Sequence, residues 1–166
     1  MKPETLTHLN ADGEASMVDV GDKQPTQRRA VAGCEMRMQP ETLRLLRGGL
    51  LKKGDAFTVA KTAAILAVKK TPQTIPLCHP LPLEGIEVRF KDLPAGNGLV
   101  IACEVKTTAK TGVEIEAIHG AMIAALTIYD MAKSYDRGMH ITDVCLWQKT
   151  GGKNEFLNPR RRADGE

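Results

Sequence analysis

The sequence predicts an α+β domain in which an antiparallel sheet of about four strands carries helices on one face. The chain has 166 residues, of which 42% are hydrophobic and 26% are charged, and a single soluble domain of this length can bury its own core. Several short stretches alternate between apolar and polar residues, as half-buried strands do. One longer segment instead repeats its apolar residues every three or four positions, which is the period of a helix face.

That longer segment, residues 111–133, is the longest predicted helix. Thr111 and Gly112 are its predicted cap, and Glu114 and Glu116 lie in its first turns, where the helix dipole favours negative charge. The predicted apolar face consists of Ile115, Ile118, Met122, Ala125, Ile128 and Met131. About 22 residues would give a helix roughly 33 Å long, which is enough to cross a small domain.

The remaining elements follow from alternation and from the placement of proline and glycine. They are a strand at 30–38, helices at 42–47 and 57–70, a hairpin of strands at 85–93 and 99–107, and a last strand at 141–148. This order is typical of a ferredoxin-like α+β sandwich. The first and last strands carry apolar residues on both faces, so we expect an oligomer in which a second subunit covers part of the sheet.

The two ends of the chain differ in composition from the middle. Residues 1–28 are polar and rich in turn formers, apart from an apolar island at 17–20, and we interpret them as an N-terminal arm that docks on another surface, such as a neighbouring subunit. Residues 29–153 are predicted to form a single catalytic α+β domain. Residues 154–166 are expected to be a flexible basic tail.

Composition argues against several classes of function. A net charge of +3, with one Trp, two Tyr and three Phe, is a poor match to nucleic-acid binding. The four cysteines are scattered, so neither a zinc site nor a disulfide framework is expected. The N-terminus has no apolar signal segment, and no apolar run is long enough to span a bilayer. We therefore expect a cytoplasmic protein that does not contact a membrane.

Residues 74–83 form a stiff apolar loop that displays a single imidazole. Pro76, Pro80 and Pro82 exclude a helix there, and His79 stands between two of these fixed bends. A single histidine is more often an ordinary surface or core group than a catalytic one. Its position in such a loop nevertheless makes His79 a candidate for the site.

The polar residues that do not fit a core suggest a site for a phosphorylated substrate. They are Arg28, Lys53, Lys69, His79, Glu114, Glu116, Asp130, Lys133, Lys149 and Lys153. Many cations, a few carboxylates and one histidine suit the binding of a polyphosphate and general acid–base catalysis. No Walker loop, dinucleotide fingerprint, nucleophile elbow or metal motif is present, and we expect no metal and no cofactor.

Two of these carboxylates pose a geometric question. Glu116 and Asp130 would lie about 40° apart around the predicted helix but about 21 Å apart along it. Lys133 is a surface neighbour of Asp130, three residues further on. Acidic residues at a helix start and a lysine at its end are also ordinary complements of the helix dipole. If both carboxylates serve one site, either the substrate is long or the site is shared between chains.

Six motifs occur in order along the chain. They are Met17–Val20, Lys53–Asp55, Ile75–Leu81, Thr111–Ala117, Ala124–Met131 and Gly151–Lys153. Together they resemble the molybdenum cofactor biosynthesis protein C family, the cyclic pyranopterin monophosphate synthases, over about residues 5–153.

The resemblance implies a lyase of the phosphorus–oxygen type that acts after a radical-SAM cyclase in molybdopterin assembly. Such an enzyme converts 3′,8-cyclo-7,8-dihydroguanosine 5′-triphosphate into cyclic pyranopterin monophosphate and releases diphosphate. The resemblance also implies a homohexamer, built as a trimer of dimers, with the site between subunits.

The resemblance also implies roles for individual residues. Asp130 is the expected acid–base residue, and Lys133 and Lys53 are assigned to catalysis with it. Lys53 also belongs to a group of cations that hold the phosphates or assist proton transfer. The predicted substrate-binding residues are Leu77, Cys78, His79, Ile115, Glu116, Glu114, Arg28, Lys69 and Lys149.

Three places depart from the family pattern. Ile115 stands where methionine is more usual, which is a swap of similar volume. Residues 118–120 replace a run of small residues, and His119, one helical turn from Glu116, would either enter the site or pair with that carboxylate. The tail motif reads Gly-Gly-Lys-Asn-Glu instead of Gly-Gly-Lys-Ser-Gly, which leaves the role of Lys153 open.

A second hypothesis comes from another class of protein, a non-catalytic oligomeric domain of ferredoxin-like fold that senses a nucleotide or another phosphate. Fold alone does not distinguish a sensor from an enzyme. A sensor needs the cations, but it has no need for Asp130, His79 and Glu116 to converge on the ligand.

Overall fold

The computed structural model describes residues 14–159 and contains a five-stranded antiparallel sheet with helices packed against it. The strands are β1 (Thr26–Arg37), β2 (Leu83–Asp92), β3 (Gly98–Ala109), β4 (His140–Thr150) and β5 (Phe156–Leu157). The helices are α1 (Pro40–Arg47), α2 (Ala56–Lys69), α3 (Thr71–Thr74) and α4 (Glu114–Ala132). The predicted α+β class is confirmed.

The sheet runs in the order β2-β3-β1-β4-β5, and β1 is its central strand. Ala32 of β1 stands opposite Cys103 of β3 on one side and opposite Leu146 of β4 on the other. All neighbouring strands are antiparallel. Residues two apart on each strand share a face, so the strand interiors alternate between the helix side and the opposite side of the sheet.

Small side chains let α4 lie very close to the sheet. Ala32 and Cys34 of β1 are fully buried, and the Cys34 thiol lies 3.8 Å from the carbonyl oxygen of Ala121 in α4. A Cβ added at Gly120 would come within 2.6 Å of the side chains of both Cys103 and Val68. Only glycine therefore fits at that position, where α4, α2 and β3 meet.

Helices α2 and α4 run antiparallel, and contacts at both ends fix their pairing. Lys53, just before α2, contacts Asp130 near the end of α4, whereas Thr71, just after α2, contacts His119 in the first half of α4. Asp55 caps α2 by accepting hydrogen bonds from the backbone N–H groups of residues 57 and 58. The loop that carries Lys53 is thereby held against the end of α4.

The face that α4 buries differs from the predicted one. The buried residues are Glu116, Ala117, Gly120, Ala121, Ala124, Ala125, Ile128, Met131 and Ala132. Ile115 and Met122 were assigned to the buried apolar stripe, but they are 44% and 46% exposed. The helix is apolar nearly all round, so two different stripes of residues repeat with the helical period. Close packing against α2 and the sheet buries the stripe of small residues.

The predicted cap of α4 is also wrong, because Val113 occupies the N-cap and makes no side-chain capping bond.

The sheet has one strand more than the four predicted. The two residues of β5 pair with Gln148 and Lys149 of β4, and they lie in the segment expected to be a flexible tail. A two-residue strand is too short for alternation to reveal it. β1 also starts inside the expected arm, at Thr26. Residues 1–13 of that arm and residues 160–166 of the tail lie outside the described part of the chain.

The side of the sheet opposite the helices carries a buried carboxylate surrounded by cations. The Glu104 carboxylate is almost fully buried there, and its three cationic partners are Arg29, Arg89 and Lys106, at 2.8, 3.4 and 3.0 Å. These contacts lower the pKa of Glu104 to about 2, with the hydrogen bond from Arg29 as the largest cause. The Trp147 ring lies directly over Gly33, where a Cβ would collide with it.

Among residues 14–159, α4 alone is long and apolar enough by length and composition to be a candidate membrane span. Half of its most apolar window is buried inside the fold, and the core helix of a soluble protein passes the same test.

Candidate active site

A cationic pocket opens beside the start of α4, with a volume of about 250 Å³. Its lining residues are Lys23, Arg28, Arg29, Lys110, Thr111, Gly112, Glu114, Lys149, Thr150, Gly152, Lys153 and Asn154. Lysine and arginine dominate this list, and Glu114 is its one carboxylate. Converging cations at a half-enclosed surface form a binding site for an anion with several charges.

Two strand ends and a glycine loop build this pocket. Arg28 lies near the start of β1, and Lys149 lies near the end of β4. Gly151 follows with a φ of 82°, a left-handed conformation that favours glycine. A Cβ on Gly151 would collide with the carbonyl oxygen of Gln27. The glycine loop can therefore fold back onto β1, where Thr26 Oγ1 donates a 2.8 Å hydrogen bond to the Gly151 carbonyl.

Glu114 pairs with one of the pocket cations. Its Oε1 atom lies 2.9 Å from Nζ of Lys149, so the first turn of α4 is tied to the end of β4. The two side chains are 26% and 35% exposed, which leaves both accessible from the pocket. An anion that entered the pocket would compete with the Glu114 carboxylate for the Lys149 ammonium.

A second, more apolar pocket of about 400 Å³ adjoins the first. Its lining residues are Val18, Val20, Lys23, Leu77, Cys78, His79, Leu81, Thr111, Gly112, Glu114 and Ile115. The two pockets share four residues, Lys23, Thr111, Gly112 and Glu114. Together they form one groove with a charged half and an apolar half, which suits a ligand with a charged end and a flat organic end.

The proline-rich loop supplies one wall of the apolar pocket, through Leu77, Cys78, His79 and Leu81. The Cys78 thiol donates to Oε1 of Glu116 at 3.2 Å. Glu116 is only 2% exposed, and its Oε2 atom has no hydrogen-bond partner among the described residues. Burial is the main cause that raises the pKa of Glu116. Burial also raises the pKa of Cys78 to about 12, helped by the Glu116 carboxylate, so this cysteine is a thiol at neutral pH.

His119 does not pair with Glu116. Its Nδ1 atom lies 3.1 Å from Oγ1 of Thr71, and that hydroxyl also donates to the carbonyl oxygen of Ala67 at 3.2 Å. Because the Thr71 hydroxyl uses its hydrogen for the bond to the Ala67 carbonyl, its oxygen is left to accept a hydrogen bond from Nδ1–H of His119. His119 therefore ties α4 to α3, the short helix that leads into the loop of residues 75–82.

A second cluster lies at the other end of α4. Asp130 has one carboxylate oxygen 2.7 Å from Nζ of Lys133 and the other 2.9 Å from Nζ of Lys53. These lysines lower the pKa of Asp130 to about 2, with the contact from Lys133 as the largest cause. The Asp130 carboxylate raises the pKa of Lys133 in turn. The three side chains are roughly half exposed.

The chain does not bring all of its predicted site residues together. Glu114 and Asp130 occupy opposite ends of the 19-residue helix α4, about 24 Å apart at the helical rise. Lys53 and Lys133 belong to the Asp130 cluster and line neither pocket. Lys69, at the exposed end of α2, lines neither pocket as well.

Lys23 and Lys110 are pocket residues that the sequence did not single out. They lie in the predicted arm and just beyond a predicted strand. Val18 and Val20 line the apolar pocket, and they belong to the apolar island at 17–20, which is one of the six sequence motifs. Among the described residues, no group of three or more His, Cys, Asp or Glu side chains is arranged so that it could hold a metal ion.

The fold and the groove define an α+β protein with a cationic and partly apolar groove, of a shape and charge that suit a small anionic molecule. The chain belongs to the MoaC family, whose model matches residues 17–152. A protein of Pelotomaculum thermopropionicum named cyclic pyranopterin monophosphate synthase is 52% identical over 149 residues, which cover 90% of this chain and 88% of that protein. Proteins of the same name from Herpetosiphon aurantiacus and Syntrophomonas wolfei are 52% identical over 160 residues and 48% identical over 152 residues. They cover 96% and 92% of this chain, and 98% and 97% of their own lengths.

Proposed function

We propose that this chain is a lyase of molybdenum cofactor biosynthesis that forms cyclic pyranopterin monophosphate, the product for which its relatives are named. The proposed substrate is 3′,8-cyclo-7,8-dihydroguanosine 5′-triphosphate. The cyclic monophosphate forms when a substrate hydroxyl oxygen bonds to the α-phosphorus and the bond from that phosphorus to the diphosphate leaving group breaks. The reaction therefore needs cations for the phosphates and acid–base groups for the protons.

The groove with a charged half and an apolar half is the observation that carries this proposal. A cyclised purine nucleotide triphosphate has a polyanionic end and a flat ring end, and the two adjoining pockets offer matching surroundings for each. Arg28 and Lys149 would hold phosphates, while Leu77, His79 and Ile115 would line the ring. Glu116 lines neither pocket itself, but it accepts a hydrogen bond from Cys78, which lines the apolar one.

The Asp130 cluster is the proposed catalytic centre. Asp130 is ionised at neutral pH, and Lys133 and Lys53 are its ammonium partners. An ammonium beside a carboxylate can donate a proton to a leaving oxygen, and the resulting neutral amine regains a proton from the substrate hydroxyl that attacks phosphorus or from water. The carboxylate carries no proton to give, and its role is to hold the ammonium in place and to stabilise its charge. We assign the acid–base role to Asp130 and Lys133. We assign Lys53 to catalysis with them, as the second ammonium in contact with the Asp130 carboxylate.

A shared site would reconcile the two clusters at opposite ends of α4. We propose a ferredoxin-like subunit that assembles as a homohexamer, a trimer of dimers, in the cytoplasm, with the Asp130 cluster of one chain completing the groove of another. Exposed apolar side chains on the outer surface of the helix layer support an interface between subunits. They are Val59 and Leu66 of α2, and Met122 and Leu126 of α4.

The test is to supply the cyclised nucleotide and to measure diphosphate and the cyclic monophosphate. We expect both products in equal amounts from the parent protein. The alternative, a phosphate sensor, would bind the nucleotide without releasing diphosphate. Well-folded protein that binds the nucleotide but leaves it intact would reject the enzyme and favour the sensor.

A further inference from the structure

The groove has one wall that lies outside the helices and strands. Residues 17–23 pass beside the start of α4, and Val18, Val20 and Lys23 of this segment line the pockets. Val18 and Val20 are half-buried, whereas Met17 and Asp19 are exposed. One side of the segment therefore faces the groove and the other faces solvent.

The segment is folded by two local turns. The backbone N–H of Gly21 donates to Oδ1 of Asp19 at 2.7 Å, and the backbone N–H of Lys23 donates to the carbonyl oxygen of Val20 at 3.1 Å. These bonds fix the shape of the segment from within. They do not attach it to the body of the protein, so another contact has to hold it over the groove.

Lys110 makes such a contact. Its Nζ atom donates to the carbonyl oxygen of Gly21 at 2.6 Å. Lys110 directly follows β3 and precedes Thr111 and Gly112, two residues that line both pockets. A hydrogen bond from an ammonium group to a carbonyl is stronger than one between neutral groups. Lys110 is thus placed to join the segment to the floor of the groove.

We propose that Lys110 is a positioning residue that holds residues 17–23 in place, so that Val20 and Lys23 complete the two pockets. Lys110 also lines the cationic pocket, but its ammonium is directed at a backbone carbonyl. Lys23, which lines both pockets, is the cation that this arrangement brings to the boundary between phosphates and ring. The proposal has two consequences. The effect of Lys110 on the order of residues 17–23 rests on the contact with Gly21, and its effect on kinetics rests on the proposed function.

The structural consequence is tested by hydrogen exchange of the backbone amides of residues 17–24. In Lys110→Met we expect these amides to exchange at least about fivefold faster than in the parent, because the segment opens more often. Lys110→Arg keeps a charged donor and should restore slow exchange. Lys91→Met is the matched control, since Lys91 is an exposed lysine of β2 outside both pockets.

The kinetic consequence is tested with the same variants and the cyclised nucleotide. Lys110→Met should raise KM about tenfold, as expected for losing one charge-assisted hydrogen bond, and should leave kcat within about twofold. Lys110→Arg should recover most of the parent KM, and Lys91→Met should match the parent. Thermal unfolding of each variant checks that the fold is intact.

Two outcomes would overturn the proposal. Exchange at the parent rate in Lys110→Met would show that Lys110 does not hold the segment, and a raised KM would then mean that it binds phosphate directly. Faster exchange with an unchanged KM would show that the segment is not a functional wall. If the parent releases no diphosphate at all, the proposed function fails. The affinity of the variants for inorganic triphosphate, measured by calorimetry, then replaces KM as the second readout.

Discussion

The ammonium group of Lys53 contacts two oxygen atoms of Asp130, Oδ2 at 2.9 Å and the carbonyl oxygen at 2.8 Å. Lys53 belongs to the loop before α2 and Asp130 to the last turn of α4. The contact therefore joins two elements that are far apart in sequence and, together with the larger effect of Lys133, lowers the pKa of the carboxylate. The ammonium group of Lys133 contacts the other carboxylate oxygen, Oδ1, at 2.7 Å.

Replacement of Asp130 tests its proposed role in catalysis. In Asp130→Asn we expect kcat to fall by about 10²- to 10⁴-fold, the usual contribution of a positioned acid–base group, with nucleotide binding nearly unchanged. The matched control is Asp92→Asn, because Asp92 is an exposed carboxylate in a surface pair with Arg47. Steady-state kinetics and calorimetry provide the two numbers. Turnover within about tenfold of the parent would reject the assignment.

The charge of Asp130 should persist far into acid. Its pKa is lowered to about 2 by Lys133 and Lys53, so its contribution to stability is present above the ordinary aspartate pKa near ~4 and is lost as pH falls towards the folded value. A carboxyl ¹³C NMR titration of Asp130 should therefore show a midpoint near pH 2. In Lys133→Met the midpoint should move upwards, and further than in Lys53→Met, since Lys133 is the larger cause. An Asp130 that titrates at its ordinary value in the parent would contradict the geometry.

Cys78 should resist alkylation at neutral pH. Burial and the Glu116 carboxylate raise its pKa to about 12, and the thiol, unlike the thiolate, is a poor nucleophile. The rate of iodoacetamide modification at Cys78, followed by mass spectrometry, should keep rising with pH beyond the ordinary thiol range near ~8.5. Glu116→Gln removes the negative charge and should shift this curve to lower pH. A parent curve that levels off near pH 9 would disprove the buried pairing.

Gly151 should be intolerant of a side chain for two separable reasons. Its φ of 82° disfavours any Cβ, and a Cβ there would also collide with the Gln27 carbonyl. Gly96 has a φ of 66° but open space around its Cα, so Gly96→Ala is the control for backbone strain alone, at about 1 kcal/mol. We expect Gly151→Ala to lose more stability in urea unfolding than Gly96→Ala and to raise KM. Equal losses in both variants would show that the glycine loop does not need its close contact with β1.

The sequence predicted the helices and strands well wherever its pattern of apolar and polar residues was compatible with only one arrangement. Strand alternation placed β1, β2, β3 and β4, and the glycine after Arg47 ended α1. The helix face of α4 was predicted less well, because large and small apolar residues repeat with the same period. Only the neighbouring elements decide between them, and Gly120 shows how closely those elements approach.

The motifs indicated two segments of the candidate site, and their roles in substrate binding remain predictions. The loop around His79 and the start of α4 meet in one pocket. Lys23 and Lys110 were missed because their positions depend on the path of a segment without regular structure, and no local pattern encodes such a path. The distance between the groove and Asp130 was foreseen from helix geometry, since it depends only on the rise of α4.

Subunit complementation tests the central claim that one chain's groove works with another chain's Asp130 cluster. Arg28→Met removes a cation from the groove, and Asp130→Asn removes the acid–base group, so each variant should be inactive alone. After subunit exchange of an equal mixture, half of the dimers carry both variants, and each mixed dimer holds one intact composite site. We expect diphosphate release to recover to about a quarter of the parent rate per chain. Mixed dimers that form, as mass spectrometry can verify, and yet stay inactive would contradict the shared site.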